Sequence, residues 1–537
     1  MAAVMGALLF AYGPRRLVEL PLGLPVLALA LAGPIAVWAI GGLEQPLLAA
    51  LLSWAAVLLL PELEAPRRSR LWTAGGLLAL LCLTRPDGPL FTATFAAALV
   101  LAGGFRRTAF ADGLRLALPS AGAVGGQLAF RLLYYGDWVV NTARAKVAFS
   151  FGRFADGASY VGDGLLWLGG LTALALLGVV AAIDRRHRYR TFLLLVPLLA
   201  WLCYVAAVGG DIFPARRHLV PAVVLLALLA AEGLRWLCAR GPRAALAGGV
   251  AGLTALIALG FAQSRDPEND RAIHERWEWD GLVLGNLLQE AFAAQRPLVA
   301  VDAAGTIPYF SRLPALDMLG LNDRFLASNP PPDFGKGFLG HELGNGAYVL
   351  SRAPDIVVMC LPTGSARGCF RSGKELVADP AFRQAYQLVN LKGREPHRVR
   401  TLAWVRKEGR IGIRREEGLV EIPGLLFATG KRGVARLDSE RVLRGELERG
   451  AAARVHVELG AGSWRVRAVG TGRLRLVLRP ADRAAAAASP ARHADGEGGL
   501  IWSGPAQKVD VLVRAGKEPA RIERIVFERI TDADEAR

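Results

Sequence analysis

The spacing of apolar residues divides the chain into two dissimilar parts. Up to residue 262, long apolar runs alternate with short polar segments. Because about 20 residues of helix cross the hydrocarbon core of a bilayer, these runs predict membrane-spanning helices. They lie at 17–40, 46–60, 71–84, 89–104, 115–134, 163–183, 191–208, 217–238 and 243–262, after an apolar fragment at 1–12.

The pattern changes after residue 262. Short apolar runs at 297–301, 355–359 and 401–405 predict buried strands, and helical periodicity is found near 280–294 and 374–388. This mixture predicts a small α/β domain over 263–410.

From about residue 411 the apolar residues alternate with polar ones, and Gly-rich turns separate the alternating stretches. Such a pattern is typical of an antiparallel β-sandwich. The stretches are 454–459, 463–468, 473–478, 509–513 and 522–528, with an Ala-rich loop predicted at 483–499. The predicted fold class is therefore a polytopic α-helical membrane domain (1–262), an extracytoplasmic α/β domain (263–410) and a C-terminal β-sandwich (411–537).

Charge predicts the orientation of the first part. The 537 residues include 64 Lys and Arg against 47 Asp and Glu, a net charge of +17. Much of the basic excess lies in short Arg clusters between apolar runs, which favours a topology signal over nucleic-acid binding. By the positive-inside rule, the cytoplasmic segments are those with Arg15-Arg16, residues 67–70, Arg106-Arg107, residues 185–190, and Arg240 with Arg243.

The remaining loops then face outward, together with everything after residue 262. The principal acidic residues of these short loops are Glu44, Asp87, Asp137 and Asp211. Any one of them is as easily explained as ordinary loop polarity, but four on one face favour a site there. We therefore take them as candidate catalytic carboxylates at the outer face of a cytoplasmic membrane.

Three of the outer segments also combine cationic, aromatic and amide groups. Arg216 and Arg217 depart from the positive-inside rule, and a pair of outward arginines is well suited to an anion such as a lipid phosphate. The candidate binding residues are Arg85, Tyr135, Asn141, Lys146, Arg216, Arg217 and His218.

Several of these motifs, in this order, resemble a known family. The segments are residues 38–44 (Trp-Ala-Ile-Gly-Gly-Leu-Glu), 85–88 (Arg-Pro-Asp-Gly), 135–137 with Asn141 and Lys146, 209–211 with Pro214, and 304–310, 317–323, 340–342 and 348–352 after the apolar region. Over about residues 17–360 the chain resembles the polytopic GT-C glycosyltransferases, in particular the terminal arabinofuranosyltransferases of arabinogalactan synthesis.

The resemblance implies a transferase in the bacterial cytoplasmic membrane. Such an enzyme moves a sugar, arabinofuranose or another pentose or hexose, from a polyprenyl-phosphate donor to a cell-envelope glycan acceptor by inverting displacement. It would need a carboxylate as proton acceptor and cations for the departing phosphate. The resemblance leaves the need for a divalent cation open. It also suggests glycan binding by the sandwich, with Trp464 or Trp502 as a stacking platform, although a core position is the likelier expectation for Trp464.

One departure from the family bears directly on catalysis. The family's usual base lies in an Asp-Asp pair after its first span, whereas this chain has no Asp before Asp87. Two explanations stay open: a preceding span and loop lie upstream of Met1, or the base has been lost. We favour the first, because residues 1–12 resemble the end of a helix. A substitution of the family's usual Pro by Val140 is a second, milder departure.

Other functions remain open at this point. A non-catalytic glycan-binding or envelope-assembly protein on the same scaffold is the main alternative, and a lipid or sugar transporter is the third. The spans carry few ionisable groups, which disfavours a coupled transporter. Cys360 and Cys369 would pair if their domain is exported, but two free thiols fit the sequence equally well.

Overall fold

A computed structural model of the chain describes residues 1–63, 67–146, 148, 150–482, 492–495 and 500–530. It consists of two compact units. The helical unit comprises 1–140 and 147–275, and the sheet unit comprises 141–146 and 276–537. The sequence predicts that the helical part ends at residue 262, whereas the helical unit of the structure ends at residue 275.

The helical unit is built from α-helices and short 3₁₀ segments. The α-helices are α1 (Ala2–Tyr12), α2 (Leu24–Leu31), α3 (Gly33–Trp38), α4 (Gln45–Leu59), α5 (Arg68–Thr84), α6 (Gly88–Ala102), α7 (Arg107–Tyr135), α9 (Phe151–Trp167), α10 (Gly169–Ala181), α11 (Arg185–Ala207), α12 (Val220–Cys238), α13 (Pro242–Gln263) and α14 (Pro267–His274). The 3₁₀ segments are Leu17–Gly23, Leu60–Leu63 and Arg217–Leu219. Helix α8 (Asn141–Lys146) belongs to the sheet unit.

The first predicted span, 17–40, is not one helix. It consists of the Leu17–Gly23 segment followed by α2 and α3. Prolines cause the breaks, because a proline lacks the N–H that continues a helix and is best tolerated in the first turn. Pro25 and Pro34 stand in the first turns of α2 and α3, and Pro21 lies within the 3₁₀ segment.

Four helical segments within the described residues are long and apolar enough to cross a bilayer: Arg107–Tyr135, Arg185–Ala207, Arg217–Cys238 and Pro242–Gln263. The number becomes five if α9 and α10, which meet at a 91° bend, form one broken span. The sequence predicts nine spans. The difference lies mainly in shorter apolar helices, Ala2–Tyr12, Leu17–Leu31, Gln45–Leu59 and Gly88–Ala102.

Helix α12 lies at the centre of the helical unit. All its residues from Val220 to Leu234 are buried. It packs closely on α10, where a Cβ on Gly178 would come within 2.1 Å of the Leu229 carbonyl oxygen. Gly233 faces the backbone of Gly178 in the same way. Small residues at such crossings let helix backbones approach each other, as in membrane bundles.

The sheet unit contains two sheets and several short helices. Its strands are β1 (Val299–Val301), β2 (Ala315–Asp317), β3 (Ile356–Val358), β4 (Tyr386–Gly393), β5 (Val399–Arg406), β6 (Arg414–Glu416), β7 (Leu419–Pro423), β8 (Gly433–Leu437), β9 (Leu443–Leu447), β10 (Ala452–Leu459), β11 (Gly462–Thr471), β12 (Leu474–Pro480), β13 (Arg492–Asp495), β14 (Leu500–Gly504), β15 (Gln507–Ala515) and β16 (Ala520–Arg529). Its remaining helices are α15 (Trp277–Phe292), α16 (Thr306–Ser311), α17 (Arg324–Ser328), α18 (Gly346–Ser351), α19 (Arg371–Ala378), α20 (Pro380–Ala385) and the 3₁₀ segment Gly424–Phe427.

The larger sheet continues across the boundary predicted at residue 410. Its main path is β14-β11-β16-β9-β8-β4-β5-β3-β1-β2, with β6 and β7 attached through β16. Strands β3, β1 and β2 are mutually parallel. The link between the two predicted domains is the parallel contact of β4 with β8, where Leu391 lies opposite Ala435. A second sheet, β10-β15-β12-β13, shares a buried core with the first.

The structure corrects two sequence expectations in this unit. The helix predicted over 374–388 is divided into α19 and α20, because Asp379 caps a new helix that has Pro380 in its first turn. Residues 386–388 are part of β4. Part of the loop predicted at 483–499 forms β13, while 483–491 and 496–499 lie outside the described residues.

Two tryptophans considered as glycan platforms are buried. Trp464 and Trp502 are 6% and 4% exposed and lie opposite each other on β11 and β14. The indole N–H of Trp464 donates to the carbonyl of Gly460. Both therefore belong to the core, and neither offers a ring face to a ligand.

Candidate functional site

Six of the candidate residues meet at helix ends in the helical unit. Glu44 precedes α4, Arg85 and Asp87 form the turn between α5 and α6, and Asp211, Arg217 and His218 lie between α11 and α12. We call this group the outer cluster. It comprises Glu44, Arg85, Asp87, Asp211, Arg217 and His218.

Arg85 connects two of the acidic residues. Its Nε and Nη2 atoms donate to Asp87, at 2.9 Å to Oδ1 and 2.6 Å to Oδ2. Its Nη1 atom forms an ion pair with Glu44, which is 41 residues away in the sequence. Burial lowers the pKa of Arg85, but the hydrogen bonds and charges of Asp87 and Glu44 outweigh it, so the pKa is raised above its ordinary value.

Arg217 and Asp211 form a second bidentate pair. The guanidinium donates from Nε to Oδ2 at 2.7 Å and from Nη2 to Oδ1 at 3.0 Å. It also lies over the ring of Phe213 at 4.2 Å from the centroid. Trp38 donates its indole N–H to the carbonyl of Pro214 at 3.0 Å, which ties the first motif of the chain to this loop.

His218 completes the outer cluster. Its Nδ1 atom lies 3.1 Å from the carbonyl oxygen of Gly210, an acceptor only, so Nδ1 carries the proton. Its Nε2 atom lies 3.9 Å from Oδ2 of Asp211. The ring lies within electrostatic range of Asp211, Arg85, Arg217 and Asp87, so the Arg85 pair and the Arg217 pair lie near the same side chain.

Two glycines allow the loop to reach this arrangement. Gly209 and Gly210 have φ values of +89° and +81°, a region that residues with a Cβ adopt at a cost. A Cβ on Gly210 would also come within 2.8 Å of the ring of Tyr160. The Gly209-Gly210-Asp211 motif is therefore required by the turn that brings Asp211 to Arg217.

The members of the outer cluster differ in exposure. The side chains of Asp87 and Asp211 are 6% and 4% exposed, whereas that of Glu44 is 28% exposed. Arg85 and His218 are both 13% exposed. Glu44 is thus the carboxylate in the outer cluster that a molecule from outside reaches most easily.

Arg216 has a different acidic partner from Arg217. It pairs with Asp266, and both side chains are buried. Its backbone has φ +47°, and the preceding Ala215 donates its N–H to the carbonyl of Glu268 at 3.1 Å. This turn fastens the loop before α12 to the start of α14.

The remaining candidates lie at the end of α7, in the turn after it and on α8. Tyr135, at the end of α7, is 61% exposed and contacts Tyr134 edge-on. Asp137 follows it and accepts from the backbone N–H of Val139. Asn141 and Lys146 form the two ends of α8, which packs against α17 in the sheet unit.

A different charged group lies deep in the helical unit. Glu232 of α12 is completely buried and accepts at Oε1 from the Tyr12 hydroxyl and from Nε of Arg190, both at 2.6 Å. Nδ1 of His187 lies 3.3 Å from Oε2, and Arg235 lies near Oε1 at 3.8 Å. We call these five residues the Glu232 network. By helix rise it lies about 20 Å along α12 from the outer cluster.

Sequence reasoning missed several partners of these groups. Tyr204 interacts with Asp87, and Asp266 neutralises Arg216. Tyr204 lies seven residues before Asp211 on an apolar helix, and nothing in the sequence around it indicates a contact with Asp87. The Asp266-Pro267 pair is recognisable as a helix start, but not as the partner of an arginine 50 residues away.

Metal binding finds no support in the part of the chain that is described. There, no three or more His, Cys, Asp or Glu side chains are grouped so as to hold a metal ion. In the sheet unit, Cys360 and Cys369 form a disulfide.

Comparison with known proteins yields one family match. Residues 271–408 match the model of a family described as a domain of unknown function, DUF8728. The match covers the α/β part of the sheet unit and does not reach the outer cluster. No curated protein matches the chain.

Proposed function

We propose that the protein is a membrane-embedded glycosyltransferase that takes a sugar from a polyprenyl-phosphate donor to a cell-envelope glycan on the outer face of the bacterial cytoplasmic membrane. The observation that carries the proposal is the convergence of Glu44, Arg85, Asp87, Asp211, Arg217 and His218. These residues come from three separate loops that the Arg pattern assigns to the same side.

Surface composition supports a membrane location for the helical unit. Along α13, Leu246, Val250, Leu253, Ile257 and Phe261 are each more than half exposed. Their spacing of three or four residues gives one continuous apolar face. A face of this kind on a helix long enough to span is favourable in lipid and unfavourable in water.

The disulfide supports export of the sheet unit. Disulfides persist mainly in oxidising compartments outside the cytoplasm. The Cys360–Cys369 pair therefore agrees with the outward orientation that the Arg clusters predict for all residues beyond the last span.

The outer cluster offers the groups that the reaction needs. An acceptor hydroxyl attacks the anomeric carbon, the bond from that carbon to the phosphate oxygen breaks, and its electron pair leaves with the lipid phosphate. We assign Glu44 as the acceptor of the hydroxyl proton because it is the most exposed carboxylate. Arg85 and Arg217 would attract the phosphate, and Asp87 and Asp211 orient these two guanidinium groups.

The test is a transfer assay on the full chain in bacterial membranes. The probe is polyprenyl phosphate carrying a radiolabelled arabinofuranose, with an envelope glycan as acceptor. Glu44→Gln should lower transfer by about 10²-fold or more, the range expected for loss of a general base. Asp270→Asn is the matched control, because Asp270 is 73% exposed and lies outside the outer cluster.

One observation favours the alternative of a non-catalytic glycan-binding or assembly protein. Both buried carboxylates of the outer cluster are held in bidentate pairs, an arrangement that also suits a purely structural role. Retention of glycan by membranes containing the protein, without labelled product and without an effect of Glu44→Gln, would favour this alternative. Labelled product that is unchanged in Glu44→Gln would overturn the assignment of Glu44.

A further inference from the structure

The sheet unit contains a cleft with a volume of about 600 Å³. It lies between the end of α15, the turn at 409–414 and strands β7, β9 and β16. Its volume is within the range of small-molecule sites, about 300–1,000 Å³. It is formed by residues on both sides of position 410 and involves none of the candidate residues of the helical unit.

The floor of the cleft is apolar. It is lined by five buried side chains, those of Phe292, Ile411, Ile413, Leu425 and Leu443. Such a floor provides contact for a carbon framework and excludes water from it.

The rim of the cleft is charged, with more cations than anions. Glu421 lies 3.6 Å from Nε of Arg524, and Glu523 lies 3.7 Å from Nη1 of Arg444. These contacts offset both acidic residues of the lining. Arg410 and Arg414 are the two arginines of the lining that pair with neither of these glutamates among the described residues.

Arg410 is the least neutralised of these cations. Its Nη1 atom donates to the backbone carbonyls of Gln295 and Arg296, at 3.4 and 3.1 Å, and it forms no ion pair with any described residue. Arg414, in contrast, pairs with Glu416 at 2.5 Å. The carbonyl contacts hold Arg410 at the rim while its charge remains uncompensated.

We infer that this cleft binds a small organic anion, a phosphate or carboxylate group on a carbon framework. Arg410 would receive the anionic group together with Arg524, because the 3.6 Å contact of Arg524 with Glu421 is too long for a hydrogen bond and its side chain is 46% exposed. The framework would lie on the floor around Leu443. Guanidinium groups suit both phosphate and carboxylate because they donate two parallel hydrogen bonds. The inference does not depend on the transferase proposal.

Titration of the purified full chain in a non-ionic detergent, followed by ligand-observed NMR, tests the inference. The probes are phenyl phosphate, glucose 6-phosphate, inorganic phosphate and the uncharged benzyl alcohol. Phenyl phosphate or glucose 6-phosphate should bind about tenfold more tightly than inorganic phosphate, and the preferred one identifies an apolar or a sugar-like framework. Failure of both phosphate esters to bind, or equal binding of inorganic phosphate or benzyl alcohol, would overturn the inference.

Variants locate the binding. Arg410→Ala should weaken binding of the preferred ester by about tenfold, the effect of losing one hydrogen bond to a charged group. Arg524→Gln should also weaken binding. Because Arg524 is half-exposed, this variant should fold, and it tests the inference even if Arg410→Ala misfolds. Arg415→Ala is the matched control, because Arg415 pairs with Glu408 and does not line the cleft. Binding that is unaffected by both cleft variants would refute the assignment.

Discussion

The helical unit contains two clusters of charged side chains that differ in burial. The Glu232 network surrounds one fully buried carboxylate with a hydroxyl, two guanidinium groups and an imidazole. The outer cluster has three carboxylates and only partial burial, and its Glu44 is 28% exposed. Burial of charge is therefore not by itself a sign of function. The closed network joins α1, α11 and α12, whereas the outer cluster leaves one of its carboxylates, Glu44, accessible to solvent.

The strongest test of the comparison is removal of the buried carboxylate. Glu232→Ala removes the carboxylate that Nε of Arg190 contacts at 2.6 Å in the core, and breaking a buried pair costs about 3–5 kcal/mol. We expect little folded protein, measured as the monodisperse fraction in size-exclusion chromatography after detergent extraction. Asp270→Asn should leave that fraction unchanged. Normal recovery of Glu232→Ala would show that the network does not hold the helices together.

Asp302 in the sheet unit is a useful contrast to Glu232, because it is also buried but accepts fewer hydrogen bonds. Asp302 is 5% exposed and accepts from the N–H of Cys360 at Oδ2, while its Oδ1 receives no hydrogen bond from any described residue. Burial raises its pKa from 3.8 to about 7, and the neighbouring Asp317 adds to the effect. The folded protein therefore binds more protons than the unfolded chain between these pH values, so stability falls as pH rises through this window.

Asp302→Asn should remove that loss of stability. The asparagine keeps an oxygen for the Cys360 N–H but does not ionise. Relative to the wild type, the variant should gain up to about 4 kcal/mol between pH 4 and pH 8, the linkage value for such a shift. The gain in stability is measured by hydrogen exchange of peptides covering β1 and β3, with the exchange rates corrected for the intrinsic effect of pH. Parallel pH profiles of the two proteins would contradict the prediction.

The smallest expected effect concerns Arg85. Arg85→Lys keeps the positive charge but loses the forked contact with Asp87 and the reach to Glu44. Because the site is partly exposed, we expect a loss of about 1–2 kcal/mol, the value of hydrogen bonds to charged groups. The thermal midpoint in detergent measures it, and Arg467→Lys, at a 53% exposed side chain that pairs with Glu528 on the surface of the sheet unit, serves as control. An equal shift in both variants would remove the distinction between the outer cluster and an ordinary surface pair.

Sequence patterns predicted the helical first half, the sheet-rich second half and most C-terminal strands. Alternation identifies strands such as β10 because one side of each faces the core. It does not identify β2, which has three residues, or the start of β4, where a continuous helical pattern is interrupted at Asp379-Pro380.

For the candidate site, the sequence indicated residues but not pairs. Glu44 and Arg85 were both selected as loop residues, yet their contact across 41 positions depends on how α4 packs on α5. Tyr12 and Glu232 are 220 residues apart, and no local pattern relates them. Long-range pairing is a property of helix packing, which a single sequence does not display.

The uninterrupted larger sheet has a practical consequence for work on fragments. Cutting the polypeptide near residue 410 would strip β4 of β8 and uncover hydrophobic surface that the two halves share. Each piece would then present bare strand edges, which recruit other strands and promote aggregation. Expression trials would do better to keep 276–530 intact than to separate it at the apparent change of composition.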